Sequence, residues 1–381
     1  MLRSYKTEIK PSTEQREKIN RTIGTCRFIY NFFIKHNKEQ YLQTKKFVTG
    51  YDFSKYLNNE FIPNNPDFKW IKEVSSKAVK QSIMNAEQSF KNFFKTKKGF
   101  PKFKKKHNSI VKVYLPKNSD TDLLVERHRV KVPTFGWINL KEKGYIPVDK
   151  LVKSCRIEKK ANRYFISVLV ETGVEINSSS NSLKGIGIDL GLKTFVTVSN
   201  GETFPNINKT REVKKLERRI KSDQRKLSRK LKNKKKGEST KNIDKQRLRL
   251  QIAHQKLTNK RHDYLNKVVR SLAITKPAFI TIEDLNVSGM MKNRHLSRSI
   301  ASMNFSRFRN LLTQRSKVNS FELRIADRFF PSSKKCCQCG NIKKALSLAE
   351  RIYVCEICGN EIDRDLNAAK NLEKLEVYRV A

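Results

Sequence analysis

The chain is poor in acid. It carries 36 aspartates and glutamates against 82 lysines and arginines, a formal net charge of +46 over 381 residues. A small domain stays in solution with a net charge of only about 2–8, so an excess this large implies a polyanionic partner. Long apolar runs are also missing. No stretch of about 18 apolar residues is available to span a bilayer, and the opening Met1-Leu2-Arg3-Ser4-Tyr5-Lys6 has no signal-peptide pattern. Nucleic acid is therefore favoured over membrane as the partner. Cysteine is scarce over most of the chain: Cys26 and Cys155 stand alone, and the other five fall between 336 and 358. That is metal spacing in a reducing compartment, not a disulfide framework. The six histidines show no metal-ligand spacing, and no internal repeat is found.

Hydrophobic patterning predicts several segments. Residues 2–10 read as a strand ending at Pro11, and Ser12 with Gln15 forms a capping box ahead of a helix carrying Ile19, Ile23, Cys26, Ile29, Tyr30 and Phe33. A second amphipathic helix is expected from about 75 to 95. It leads into a basic loop, 97–106, in which Lys97, Lys98, Lys102, Lys104, Lys105 and Lys106 interleave with Phe100 and Phe103. Such a loop suits phosphate contact with stacking; it reads equally as a solvent-facing loop anchored by its phenylalanines. Residues 109–175 alternate as short strands, including a hairpin around Asn162, and suggest a small β-barrel that strand 2–10 completes. A polar linker at 177–182 marks a boundary. An α/β domain follows, with strands at 186–189, 194–199, 278–282 and 321–326. Two long helices are expected over about 209–270, joined by a basic connection at 232–237. A helix is expected over 302–318 and a last one over 366–377.

Three short acidic stretches interrupt this basic background: Gly187-Ile188-Asp189-Leu190-Gly191, Thr281-Ile282-Glu283-Asp284-Leu285 and Asp363-Arg364-Asp365-Leu366-Asn367. Asp189 lies on a predicted strand, Glu283 ends another, and Asp365 precedes a helix, where an anion is favoured. Mg²⁺ or Mn²⁺ takes oxygen ligands from a few carboxylates plus substrate phosphate. Two such ions about 3.5–4 Å apart stabilise both oxygens of an in-line phosphodiester cleavage. A single Gly-x-Asp-x-Gly is weak evidence, but three carboxylates at element ends in a basic chain point to a metal-dependent nuclease. The second metal signal is Cys336-x-x-Cys339 followed by Cys355-x-x-Cys358, each pair trailed by a glycine, Gly340 or Gly359, that permits a tight turn. Four thiolates close a Zn²⁺ coordination shell, so that metal is structural. Cys337 is the spare.

These motifs together resemble the TnpB (OrfB) family, transposon-encoded RNA-guided DNA endonucleases related to type V CRISPR effectors. The resemblance rests on Gly-Ile-Asp-Leu-Gly-Leu-Lys at 187–193, Ile-Glu-Asp-Leu at 282–285, Ser-Ser-Lys-Lys-Cys-Cys-Gln-Cys-Gly at 332–340 and Asp-Arg-Asp-Leu-Asn-Ala-Ala-Lys-Asn-Leu at 363–372. Tyr-Lys-x-x-Ile-x-Pro at 5–11, Cys-Arg-Phe-x-Tyr-Asn at 26–31 and Phe-Pro-x-Phe-Lys at 100–104 add to it. The resemblance implies an RNase H-like (RuvC) nuclease domain at 183–335 and 361–381. Within it sit a helical hairpin insertion at about 209–270 and a zinc ribbon at 336–360. It further implies a wedge β-barrel at 1–10 and 107–176 with an inserted helical recognition lobe at 11–106. Asp189, Glu283 and Asp365 become the catalytic carboxylates, with Asp363 competing for the third place. Guide RNA and double-stranded target DNA become the partners of a monomer, in a cytoplasmic, nucleoid-associated, prokaryotic setting. A binding-only relative, or a transposase acting without RNA, are the other readings; the full set of carboxylates and the position of the zinc ribbon weigh against them. Any C-terminal tail is expected to be short.

Overall fold

The computed structural model describes residues 2–97, 99–106, 110–173, 184–235, 239–347 and 350–381. The expected linker at 177–182, Lys98, and the end of the basic connection at 236–237 lie outside the described residues. The chain divides into two compact units, Met1–Val174 and Glu175–Ala381.

The first unit is built on an antiparallel sheet of seven strands. They are β1 (Leu2–Lys10), β2 (Lys112–Pro116), β3 (Leu124–Val125), β4 (Arg129–Val132), β5 (Gly136–Leu140), β6 (Leu151–Lys160) and β7 (Arg163–Glu171), in the order β2-β6-β7-β1-β5-β4-β3. The first strand lies in the middle of the sheet, paired with β7 on one side and β5 on the other. Alternation places Tyr164, Ile166, Val168 and Val170 of β7 inward. With Ile9, Val113, Ile138 and Ile157 they form one core on the inner face of the sheet. The β6–β7 turn has Ala161 and Asn162 both at positive φ, 48° and 63°, which matches the right-handed twist of the strands it joins. Among the described residues no ladder joins β2 to β3, so the sheet stays open along that line.

The helices of this unit surround an aromatic core. They are α1 (Thr13–Thr44), α2 (Gly50–Tyr56), a π-helical turn at Leu57–Phe61 leading into α3 (Ile62–Asn64), a 3₁₀ segment at Pro66–Glu73, and α4 (Ser76–Thr96). The capping box at Ser12 forms as expected, and Gln15 Nε2 also donates to the Phe135 and Trp137 carbonyls, tying α1 to the sheet. Phe33, Phe53 and Phe90 are buried together at the centre.

The loop that follows α4 is anchored at Phe100, whose ring packs edge-on against Phe90 and Phe93, and again at Lys104. Asn31 donates from Nδ2 to the Lys104 carbonyl at 3.0 Å and accepts from the Lys104 N–H at 2.8 Å. The Lys104 ammonium lies 3.6 Å from the Tyr30 ring centroid, and burial pushes its pKa below the usual lysine value. Lys97, Lys102, Lys105 and Lys106 are exposed. Lys104 thus holds the loop down while its neighbours face water. Replacing Asn31 by alanine removes both anchoring bonds. Limited trypsin digestion should then cut at Lys102 and Lys105 several-fold faster, with little change at sites outside the loop. An unchanged cleavage pattern would mean that the Tyr30 and Phe100 contacts secure the loop without Asn31.

The second unit is α/β. Its elements in order are β8 (Ile186–Leu190), β9 (Thr194–Val198), β10 (Thr203–Pro205), α5 (Arg211–Lys232), α6 (Lys241–Ile274), β11 (Phe279–Ile282), α7 (Val287–Met290), α8 (Ser297–Met303), α9 (Phe305–Asn319), β12 (Glu322–Ala326), β13 (Ile352–Val354), β14 (Glu361–Asp363), α10 (Arg364–Glu373) and β15 (Tyr378–Val380). Six strands form one mixed sheet in the order β10-β9-β8-β11-β12-β15. β8, β11 and β12 run parallel, and β9, β10 and β15 are antiparallel to their neighbours. Three expectations shift. Asn304 adopts the left-handed conformation (φ 57°) and splits the helix expected over 302–318 into α8 and α9. The Asn200-Gly201 turn joins β9 to β10, a strand the pattern did not reveal. The last helix ends at Glu373, and the residues beyond it add β15 to the sheet edge.

Candidate active site and metal centre

Strand register brings the first two carboxylates together. Ile188 of β8 pairs with Ile282 of β11 in parallel. Asp189, next on β8, and Glu283, the first residue after β11, therefore stand abreast on neighbouring strands whose spacing is about 4.8 Å. Both lie at the carboxyl ends of parallel strands, where ligands of open α/β sheets collect. The third arrives on α10. A Cβ built on Gly187 would fall 2.0 Å from the Ala369 carbonyl oxygen and 2.4 Å from the Glu373 amide. Only a glycine lets the backbone of α10 lie this close to β8. Ala368, Ala369 and Leu372 are buried on that face, and Asp365 sits in the first turn.

Asp363 and Asp365 separate by geometry. Asp363 is the N-cap of α10, its Oδ1 accepting from the Asp365 and Leu366 amides at 2.9 and 3.0 Å. It is exposed, whereas Asp365 is half-buried and close enough to raise the pKa of both other carboxylates. At Asp189, desolvation, then Glu283 and Asp365 and least of all Asp363, push the carboxyl well above its ordinary range, with Arg364 opposing. At Glu283, desolvation raises the pKa, and the Ser332 hydroxyl, donating at 2.6 Å, partly offsets it. Two acids that resist ionisation, with the Asp365 carboxylate beside them, are a donor set that a hard divalent cation relieves.

Four cysteines meet in the second centre. Among the described residues, Cys336, Cys339, Cys355 and Cys358 are the one group of potential ligands whose ligand atoms all lie within 4.8 Å of one another. Cys336 Sγ is 3.7 Å from Cys358 Sγ, and Cys339 Sγ is 3.5 Å from Cys355 Sγ. Gly340 and Gly359 take φ of 80° and 68°, and each donates its amide back to the first cysteine of its pair. The thiols do not titrate alike. The Cys358 and Ile357 amides lower Cys355 to about 6. At Cys358 the Asn360 amide favours the thiolate, but desolvation and the neighbouring sulfurs outweigh it and push the thiol up to about 12. Crowded thiolates of this kind fit a tetrahedral Zn²⁺.

The two centres are joined by residues whose role the sequence did not disclose. Asn367 is fully buried; its Nδ2 donates to the Lys335 carbonyl at 2.7 Å and its Oδ1 accepts from the Cys337 amide at 3.0 Å. Asn371 donates to the Ser332 carbonyl at 2.8 Å and also to the Lys335 carbonyl. Lys374 donates to the Cys337 carbonyl at 2.7 Å. Cys337, the spare thiol, is thus a buried backbone contact rather than a ligand. Ser332, Asn367 and Asn371 all lay within the motifs; for the two asparagines of α10 a polar residue on the apolar face of a helix was the only signal.

Three family models match the chain. One of the OrfB IS605 type, described as "Probable transposase", matches residues 166–294. A second, "Cas12f1-like, TNB domain", matches 305–372, and a third, "Helix-turn-helix domain", matches 1–46. A protein of Streptomyces pristinaespiralis named "Putative RNA-guided DNA endonuclease" is 28% identical over 97% of this chain and 88% of its own length. One of Escherichia coli (strain K12), "Putative RNA-guided DNA endonuclease InsQ", is 27% identical over 97% of this chain and 91% of its own. The chain in "Cryo-EM structure of the Cas12f1-sgRNA-target DNA complex" superposes with a TM-score of 0.56 at 13% identity, covering 98% of both chains. The fold is therefore of the Cas12f1 kind. The chain belongs to the TnpB (OrfB) family. Within 2–46 the structure has one strand and one unbroken helix, α1, rather than two helices and a turn.

Two outcomes follow for the isolated protein. Asp189 and Glu283 titrate above their unfolded values, so their contribution to stability is complete at low pH and is lost as pH rises through the raised values. In metal-free protein, Asp189→Asn should therefore raise stability by about 1–2 kcal/mol at pH 8 and leave it unchanged near pH 3. A lower Tm at pH 8 would show that the acids are not in conflict. Cys355→Ser should lower bound zinc and Tm together, because metal binding and local folding are one equilibrium. Loss of zinc with an unchanged melting curve would make the module dispensable.

Proposed function

We propose that this chain is an RNA-guided DNA endonuclease that cuts double-stranded DNA beside a short motif read by the protein. The observation that carries this reading is the placement of Asp189 and Glu283 abreast on β8 and β11, with Asp365 delivered by α10. Asp189, Glu283 and Asp365 are the ligands for Mg²⁺ or Mn²⁺. Bound there, the ions would stabilise the attacking and leaving oxygens of phosphodiester hydrolysis. Ser332 orients Glu283 through its hydroxyl, and Asp363 fixes the start of α10, so both act on position rather than on the reacting phosphate. The fold of Cas12f1 supports assigning 183–335 and 361–381 to a RuvC nuclease domain, with α5 and α6 inserted and a zinc ribbon at 336–360. The first unit then comprises a wedge barrel, 1–10 and 107–176, and a recognition lobe, 11–106.

The names of the two full-length relatives support guide RNA and DNA as partners, and the +46 charge supplies the attraction. Base pairing to the guide reads sequence, while the protein holds the heteroduplex by backbone and shape. Exposed Lys97, Lys102, Lys105 and Lys106 extend that basic surface, with Lys98 in the same run and Lys104 as its anchor. A monomer on one RNA, acting in the prokaryotic cytoplasm at the nucleoid, is the form proposed.

The test is to purify the protein with its RNA, sequence the RNA, and supply a duplex matching the guide segment. Asp189→Ala, Glu283→Ala and Asp365→Ala should each lower Mg²⁺-dependent cleavage of both strands by about 10³-fold or more, with guided binding retained, and double variants should add little. Asp363→Asn keeps an N-cap acceptor and should stay active, while Asp363→Ala loses about 1 kcal/mol of stability. Substantial cleavage by Asp189→Ala or Glu283→Ala would refute the shared-metal mechanism. A dead Asp363→Asn beside an active Asp365→Ala would reverse the assignment of the third ligand.

A further inference from the structure

The residue after Glu283 gathers an excess of positive charge. Asp284 accepts from Arg309 Nη1 at 2.9 Å, Arg328 Nη2 at 2.9 Å and Arg379 Nη2 at 3.1 Å. The three arginines come from α9, from the turn after β12, and from β15, so the sheet edge and one helix converge on a single carboxylate. Burial would raise the Asp284 pKa, but the Arg328 and Arg309 hydrogen bonds outweigh it and hold the carboxyl below its ordinary value. Three guanidiniums less one carboxylate leave two charges in excess. One arginine would neutralise Asp284, and exposed ion pairs contribute little to stability. A purely structural role therefore accounts for one guanidinium, not three.

The geometry leaves the surplus available. Asp284 is 12% exposed, while the side chains of Arg309, Arg328 and Arg379 are 41%, 49% and 67% exposed. Each guanidinium has five N–H donors, and each gives one to Asp284. Among the described residues none of the three guanidiniums has a second hydrogen-bond partner. Arg309 also lines a cleft of ≈ 380 Å³ whose other walls include Glu283, Ser306 and Asn310. One arginine of the cluster and one carboxylate of the candidate metal site thus line the same cleft.

An aromatic ring stands beside the cluster. Phe329 is 88% exposed. It is held at the tip of a fixed turn, in which the Asp327 carboxylate accepts from the Phe329 amide at 2.8 Å and the Asp327 carbonyl accepts from the Phe330 amide at 3.2 Å. A guanidinium that binds phosphate next to a rigid ring with a free face is the pairing that captures unpaired nucleotides.

We infer that Arg309, Arg328 and Arg379, preorganised on Asp284, are a phosphate clamp, and that Phe329 stacks on an adjacent base. The ligand is the single-stranded DNA being cut, seated through a nucleotide flanking the scissile phosphate. The choice of strand rests on the proposed function, since Arg309 of the clamp lines a cleft with Glu283. A paired base has no free face for Phe329, so the clamp selects strand that is already unwound.

The experiment uses the full chain with its copurified RNA, in EDTA to prevent cutting, and fluorescein-labelled oligo-deoxythymidine of ten nucleotides as probe. Arg328→Gln with Arg379→Gln should reduce the slope of log affinity against log salt by about 0.7 for each phosphate that is no longer gripped. Phe329→Ala should weaken binding about 5-fold or more without changing the slope. In the unmutated protein, the same oligonucleotide should protect Arg328 and Arg379 from phenylglyoxal, read by peptide mass spectrometry, which requires no variant to fold. Absent protection, or an unchanged slope in a variant with normal melting, would overturn the clamp. Equal protection by oligo-uridine of ten nucleotides would overturn the assignment to DNA. Guided cleavage is measured in parallel with Mg²⁺. Cleavage by the parent that is unaltered in the arginine variants removes the clamp and keeps the proposed nuclease. Clamp-dependent binding in a parent that never cleaves does the reverse.

Discussion

The absence of one methyl group organises the second unit. With no Cβ at Gly187, the backbone of α10 settles directly on β8, 2.0 Å from where that Cβ would stand. Any side chain there would lift the helix by more than a van der Waals radius and carry Asp365 away from Asp189. The same helix holds the segment 332–337 through Asn367 and Asn371, and that segment presents Ser332 to Glu283. All three carboxylates are thus positioned through a single helix, two by its own packing and one through its asparagines.

The zinc module is not a separate ornament on this arrangement. Its last strand, β14, ends at Asp363, and α10 begins at the next residue. Its own core is small: Tyr353, Cys336 and Cys355 are the buried residues, with Leu346 and Ile362 partly covered. So few apolar contacts cannot hold a fixed geometry unaided, and the thiols repel one another as they ionise. A metal held by the four cysteines would replace the missing core. Through Cys337, whose amide and carbonyl are taken by Asn367 and Lys374, that rigidity would reach the start of α10. Metal at the cysteines would therefore stiffen the platform on which the acids stand, without touching them.

Much of this could be read from residues alone, for identifiable reasons. Strands with strict alternation, such as β7, and helices opened by a capping box, such as α1, announce themselves locally. The cysteine pairs did so too, since knuckle turns impose their own spacing and glycines. What stayed hidden was long-range. β15 is three residues long and exists only because β12 offers an open edge. The break at Asn304 needs a left-handed residue that no periodicity reveals. Asp363 and Asp365 are equivalent on paper, and only the helix geometry shows that the first is spent on the Asp365 and Leu366 amides. Lys104 looked like its neighbours until Asn31 and Tyr30 turned it inward.

Glu283 and Asp284, the two residues that follow β11, carry opposite electrostatics. Desolvation and a like charge act on Glu283, and its carboxyl is pushed up. Three guanidiniums close on Asp284, and its carboxyl is held low. Neither group would tolerate the other's surroundings: Glu283 beside those arginines would be neutralised as a cation ligand, and Asp284 beside Asp189 would add a further acid to an overloaded cluster. One peptide bond therefore divides a region that attracts cations from a region that attracts phosphate. On the proposed function, a cleaving site needs both within a nucleotide's reach, since the ions must meet the scissile phosphate while its neighbours are gripped.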